Sequence, residues 1–255
     1  LEPVVQLSLE DEARVQRAAR LTMDVERLAP YRVVERAYIS AQTLADRAVH
    51  RRPTLTTHFR CQPEIIEICD VLCGYGLEIE TKPVTGPLPL PELNARVALI
   101  PVTGSQERIR GSWHNMAERD TVINLLMGLQ SAGVPWSDIA VITPYVGQLD
   151  RIRDALRQAR IPWQGAQELD EWAASGPEGI ALGTVHRFQG GERRVVLFST
   201  VVSRPRSLSF LNDRVNLMNV AISRAREQLL VIGAPDILMQ GQFTRVLIDR
   251  AIRIG

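Results

Sequence analysis

The chain has 255 residues, 45% hydrophobic and 23% charged, with 30 basic side chains against 29 acidic ones. Such a composition excludes intrinsic disorder, and a net charge of +1 excludes a general polycationic grip on nucleic acid. No stretch approaches the roughly 18–20 continuous apolar residues of a membrane span, and the first residues do not read as a secretory leader.

The length fits one large domain or two small ones. A start at Leu1 rather than Met is expected of a piece of something longer. Lys82 is the only lysine, and Pro83 follows it. A phosphate-binding loop of the G-x-x-x-x-G-K-[ST] type therefore has no place in this chain. Cys61, Cys69 and Cys73 cannot make a closed disulfide set and fit a reducing compartment. Their spacing puts them near one face of a single helix, where small apolar packing explains them better than a metal site.

Residues 9–29 carry apolar or small residues at helical spacing, with an acidic first turn and Pro30 as a stop. A second helical piece is expected over residues 41–49. Residues 1–53 thus read as a helical connector or flanking segment, and 54–255 as the main domain. From Leu55 on, short apolar runs at 97–102, 139–143, 180–185, 195–202 and 229–232 read as strands buried on both faces. Helical patterns fall between them, at 63–72, 115–130, 146–158, 213–224 and 243–252. This alternation predicts an α/β fold with an open, mainly parallel sheet and helices on both faces. Residues 77–96, with four prolines, read as an extended loop. Residues 161–179 read as a long connection with a short helix around Glu168–Ala174.

Ligands of open α/β sheets gather at the carboxyl ends of the strands, so polar residues just after each strand are the ones to examine. TPYVGQ (143–148) and GTVHRFQGGE (183–192) follow two strands. NLMNVAISRARE (216–227) lies on the helix before the last one, and THFRCQPEI (57–65) precedes them all. Each string alone has a plain reading as a helix cap, a turn or a solvated face. Their collinear order on one sheet does not.

From about Leu55 to Ala234 the chain resembles the second RecA-like motor domain of superfamily 1 helicases. The branch is the one containing the nonsense-mediated-decay helicase and its bacterial relatives, whose strings read approximately QYRMHP, TPYxxQ, GTVxxFQGxE and NVAxSRA. This chain departs at His58 and Phe59, at Cys61-Gln62, and at Leu217, where many members carry an additional arginine. Phe59 keeps a flat ring and loses only a hydroxyl.

The resemblance implies an ATP-dependent DNA or RNA helicase or translocase, cytoplasmic, of which this chain is one half of the engine. Arg60 and Arg224 would be the catalytic arginines on the γ-phosphate. Phe59, Gly191 and Glu192 would line the nucleotide. Pro144, Tyr145, Thr184 and His186 would touch single-stranded nucleic acid, with DNA favoured over RNA. Gln189 and Gly190 would couple the two faces. ATP and Mg2+ would be held mainly by an N-terminal RecA-like domain, leaving this chain without activity of its own. The family's 5′-to-3′ stepping is implied in the same way. Trp113, Trp163 and Trp172 could stack on bases, although packing explains them more simply. The competing reading is a non-catalytic helicase-like scaffold or docking module. A dinucleotide-binding oxidoreductase is excluded, since no G-x-G-x-x-G follows a strand.

Overall fold

The computed structural model describes residues 55–165, 179–185, 188, 191–212 and 214–254. The helical readings at 9–29, at 41–49 and around Glu168–Ala174 lie outside the described residues, as do His186, Gln189, Gly190 and Trp172.

Strand β1 (Thr57–His58) leads into helix α1 (Pro63–Cys73). Pro63 suits the first turn of α1 because its missing N–H would have no partner there. Gly74 ends the helix at φ 62, its N–H donating to the Asp70 carbonyl at 2.7 Å. Strand β2 (Glu78–Ile79) pairs parallel with β1. Most of the proline-rich stretch that follows has no regular structure, apart from a 3-10 turn over Pro91–Leu93.

Strands β3 (Val97–Pro101), β4 (Gln106–Ile109) and β5 (Ser112–Asn115) come next, followed by helix α2 (Met116–Ser131), strand β6 (Ile139–Thr143) and helix α3 (Val146–Gln158). The chain continues through β7 (Trp163–Gly165), β8 (Ile180–Thr184) and β9 (Arg193–Ser199) to helices α4 (Ser209–Asn212) and α5 (Val215–Ile222). Strand β10 (Ala225–Gly233), helices α6 (Pro235–Leu238) and α7 (Gln242–Arg250), and strand β11 (Ile252–Arg253) complete it.

Among the described residues a seven-stranded sheet runs β11-β3-β10-β9-β6-β8-β7, and each neighbouring pair is parallel. Parallel strands need helical crossovers, which cover both faces, and this is why the central strands are apolar without alternation. Ile139, Val141, Ile180, Leu182, Val195, Leu197, Leu230 and Ile232 share one core with Val122, Leu126 and Leu129 of α2 and Leu149, Ile152 and Leu156 of α3. The intervening strand residues Ala140, Ile142, Val196, Phe198, Leu229 and Val231 are equally buried and point to the opposite face. There α1 packs against β10, α5 and α7. Each fully buried Leu, Ile or Val side chain contributes roughly 1.5–3 kcal/mol, so the sheet is the rigid platform for what its edges carry.

Three expectations are corrected. The helix expected over 213–224 is α5, and it stops at Ser223, whose N–H donates to the Asn219 carbonyl at 2.9 Å. Arg224 therefore sits at a helix–strand junction, not on a solvated helix face. Strand β10 begins four residues before the expected 229, because the Gln228 amide is buried and makes three backbone hydrogen bonds, to Leu90 and Ala95. Finally, Cys61 precedes α1, so only Cys69 and Cys73 share the helix.

Candidate functional site

Two clusters of polar residues form, at opposite ends of the sheet. The first lies at the amino ends of β9 and β10, not at the carboxyl ends where sequence reasoning looked. It is built by the turn after β1. The Gln62 N–H donates to the Arg226 carbonyl at 2.8 Å, and the Cys61 thiol donates to the Ser223 carbonyl at 3.4 Å. The Cys61 N–H donates to His58 Nε2 at 2.8 Å. Burial, reinforced by the Arg60 charge, lowers the His58 pKa, which keeps the imidazole neutral and able to accept. Burial likewise pushes the Cys61 thiol up to about 12, so it stays a donor. These bonds stitch the segment before α1 to the junction before β10.

Arg60 and Arg224 meet across that stitch. Arg224 is only 4% exposed. Its Nε donates to the Val220 carbonyl at 3.2 Å and a terminal nitrogen donates to the Gly191 carbonyl at 2.9 Å. Burial lowers its pKa first, and the positive charge of Arg60 adds to the shift. Arg60 is the exposed counterpart, with a side chain 53% exposed and its Nε 2.6 Å from Glu192 Oε2. Arg60 thus pairs with the Glu192 carboxylate while Arg224 is held on the adjacent Gly191 carbonyl, and the local excess of positive charge suits a polyphosphate. Phe59 presents its ring to solvent beside them, 69% exposed. Next to this cluster, Ser137, Asp138, Glu192, Arg193, Arg194, Arg226 and Glu227 line an open basin of about 330 Å³. Sequence reasoning missed Arg193, Arg194 and Arg226 there. Their place directly beside the Glu192 and Arg224 strings was the available signal.

The second cluster lies at the carboxyl ends of β6, β8 and β9. Thr184 ends β8 and pairs in register with Thr143. Pro144 and Tyr145 follow β6, and of the site residues named for this end the three described ones, Pro144, Tyr145 and Thr184, are buried. Tyr145 does not offer a free ring. It packs at 5.2 Å against Phe210 and forms the floor of a groove of about 630 Å³. The walls come from Ser112 and Trp113 of the β4–β5 hairpin and from Arg204, Arg206 and Phe210 in the segment after β9. Arg108 covers the Trp113 ring at 5.8 Å, and Arg214 covers the Phe210 ring at 4.7 Å. Gly147 lets α3 approach the hairpin, since a Cβ there would lie 2.9 Å from the Trp113 carbonyl oxygen. Sequence reasoning named Trp113 only as a stacking candidate and passed over Arg204 and Arg206, although the Arg-Pro-Arg string follows a strand end.

Thr184 ends β8 at the same end of the sheet as the groove, and Gly191 and Glu192 precede β9 beside the arginines. Among the described residues no three His, Cys, Asp or Glu side chains gather into a metal site. Nor is any described helix long and apolar enough to cross a membrane.

A family model described as an AAA domain matches residues 39–236. The chain is 30% identical over 197 residues to the mouse (Mus musculus) protein named 5′-3′ DNA helicase ZGRF1, covering 76% of this chain and 10% of that protein. It is 32% identical over 166 residues to the zebrafish (Danio rerio) putative helicase mov-10-B.1, covering 58% and 15%. To the Drosophila melanogaster homolog of regulator of nonsense transcripts 1 it is 30% identical over 167 residues, covering 64% and 13%. The chain therefore spans only 10–15% of the length of these relatives. With its parallel sheet and collinear motifs, the chain belongs to the AAA domain family, as a C-terminal RecA-like domain of the superfamily 1 helicases of the nonsense-mediated-decay branch.

Proposed function

We propose that this chain is the second motor domain of an ATP-dependent DNA or RNA helicase or translocase, and that Arg60 and Arg224 are its arginine fingers. The observation that carries the reading is their convergence on Gly191 and Glu192 at one edge of the sheet. Magnesium-bound ATP, when present, supplies the phosphoanhydride whose cleavage drives stepping. Its cradle and metal ligands are assigned to an N-terminal RecA-like domain, since Lys82 is the only lysine and lies in no phosphate loop.

The two arginines divide the work. Arg224, fixed by two carbonyls, is preorganised to meet charge developing on the γ-phosphate oxygens. Arg60 leaves the Glu192 carboxylate to reach the same oxygens, and this exchange draws the cleft shut. Glu192, released, can accept from a ribose hydroxyl, and Phe59 can stack on the base. At the other end, Arg204 and Arg206 with the rings of Trp113 and Phe210 suit a single strand. Guanidinium groups would hold its phosphates and flat rings its bases. Pro144 and Tyr145 shape that groove from below, and Thr184 and His186 are further strand contacts. Gln189 and Gly190 are assigned to coupling the two faces. DNA is favoured over RNA, and a cytoplasmic setting suits the cysteines.

In the full-length protein, Arg224→Ala should lower ATP turnover by on the order of 10³, as removal of an arginine finger does, while single-strand affinity stays within a few-fold. Unchanged turnover would remove the finger role. It would leave the non-catalytic scaffold as the better reading, against which the presence of Arg60, Glu192 and Arg224 together now argues.

A further inference from the structure

The groove depends on a segment with little regular structure of its own. Residues 200–207 leave β9, pass through Val201 at φ 70, and carry Arg204 and Arg206 to the rim. A β-branched residue in the left-handed region is a conformation that its surroundings must impose. Two side chains from outside the segment do so.

Glu118, in the first turn of α2, is completely buried. Its Oε2 accepts from the Ser199 hydroxyl at 2.7 Å and from the Val201 N–H at 2.8 Å. Ser199 in turn accepts from the Gln148 amide at 3.0 Å, and Gln148 bonds the Asn115 backbone on both sides. The carboxyl is thus tied to the end of β9, the start of α2 and the first turns of α3. Gln106 of β4 grips the other end of the segment. Its side-chain oxygen accepts from the Ser203 N–H at 2.9 Å, its amide donates to the Ser207 hydroxyl at 2.6 Å, and its own N–H donates to the Ser203 hydroxyl at 2.8 Å. Gln106 is 2% exposed. Neither side chain lines the groove, and neither lies in a motif shared with the helicases.

We propose that Glu118 and Gln106 are positioning residues that clamp residues 200–207 from both ends, holding Arg204 and Arg206 over the strand-binding groove. The clamp rests on the reading of that groove as the single-strand site. It adds the elements that set the groove's shape, the buried start of α2 and the edge of the β4–β5 hairpin.

The test uses the full-length protein, a labelled oligothymidylate, and affinity measured across a series of salt concentrations. Each phosphate contact contributes roughly 0.7 to the slope of log affinity against log salt for a single strand. Arg204→Ala with Arg206→Ala should lower that slope by about 1.4 and weaken binding roughly ten-fold or more. Glu118→Met, which keeps the volume and removes the acceptor, and Gln106→Ala should each reproduce part of that fall. Glu118→Gln, which retains an acceptor oxygen, should restore it. A loss of stability alone would not change the salt slope of the folded fraction. Should Glu118→Met fail to fold, Gln106→Ala carries the same comparison. If the arginine pair lowers the slope while the clamp variants leave it unchanged, the clamp is wrong and the groove stands. If the arginine pair itself changes nothing, the groove is not the strand site, and the clamp falls with it.

Discussion

Arg60 and Arg224 carry the same group in different circumstances, and the difference is chemical. Arg224 is buried and committed to the carbonyls of Val220 and Gly191, a fork that a lysine cannot reproduce because its ammonium is a single point of charge. Arg224→Lys should therefore lose nearly as much ATP turnover as Arg224→Ala, which steady-state kinetics on the full-length protein would check. Phe59 presents its ring to solvent, so its contribution should appear in nucleotide affinity rather than in the chemical step. Phe59→Ala should raise KM for ATP by roughly ten-fold, the value of a lost stacking contact of about 1.4 kcal/mol, with kcat little changed. A fall in kcat at unchanged KM would assign Phe59 to the chemistry instead. These residues were legible in the sequence because each sits in a string of fixed order. Arg193, Arg194, Arg204 and Arg206 were passed over, because adjoining a motif or a strand end does not by itself say that an arginine lines a basin or a groove.

At the level of elements, the strands of the central sheet were readable because burial on both faces leaves continuous apolar runs, as in Ile139–Thr143 and Ile180–Thr184. The β4–β5 hairpin was not readable. Its residues, Gln106–Ile109 and Ser112–Asn115, are largely polar, and its two-residue turn is Arg110-Gly111 rather than the usual Asn-Gly. Both turn residues take positive φ, 47 and 83, as a tight hairpin requires, and the arginine tolerates what asparagine would adopt more readily. The missed hairpin is what supplies Trp113 to the groove and Gln106 to the segment that carries its arginines.

Glu118 gives this region a pH signature. Burial pushes its carboxyl from the ordinary 4.5 up to about 8, against the pull of its bonds from Ser199 and Val201. Between those values the folded chain holds a proton that the unfolded chain has released, so stability falls as pH rises. The loss should be complete once pH passes about 8 and amount to no more than about 5 kcal/mol. Tyr145, whose own pKa is pushed up to about 12 by burial and then by the Glu118 charge, titrates above this window, and His114 is a buried neighbour on the strand before α2. Thermal unfolding of the wild type should therefore show a declining Tm from pH 5 to 8, and Glu118→Gln should flatten that decline. A decline of equal size in the variant would place its origin in another group.

Over the whole of the unit from Thr56 onward, the parallel sheet separates two chemistries by the length of its strands. Arginines gather at the amino ends of β9 and β10, and the aromatic groove lies at the carboxyl ends of β6, β8 and β9. The expectation that ligands collect at carboxyl ends therefore describes only the groove. Under the proposed function, the arginine edge escapes it because the triphosphate would be held by a second domain and meet this one from outside. An edge of this kind should be inert alone. The 255-residue chain, assayed without a partner, is expected to hydrolyse no ATP above background, and robust turnover from it would overturn the idea of a divided engine.

The central claim, that this edge lends its guanidinium groups to a triphosphate held elsewhere, is tested most directly by a structure of the full-length protein with a non-hydrolysable ATP analogue. Nitrogen atoms of both Arg60 and Arg224 should lie within roughly 2.7–3.2 Å of the γ-phosphate oxygens, with Arg60 detached from Glu192. A closed complex in which Arg60 remains on Glu192 and neither arginine reaches the phosphates would contradict it.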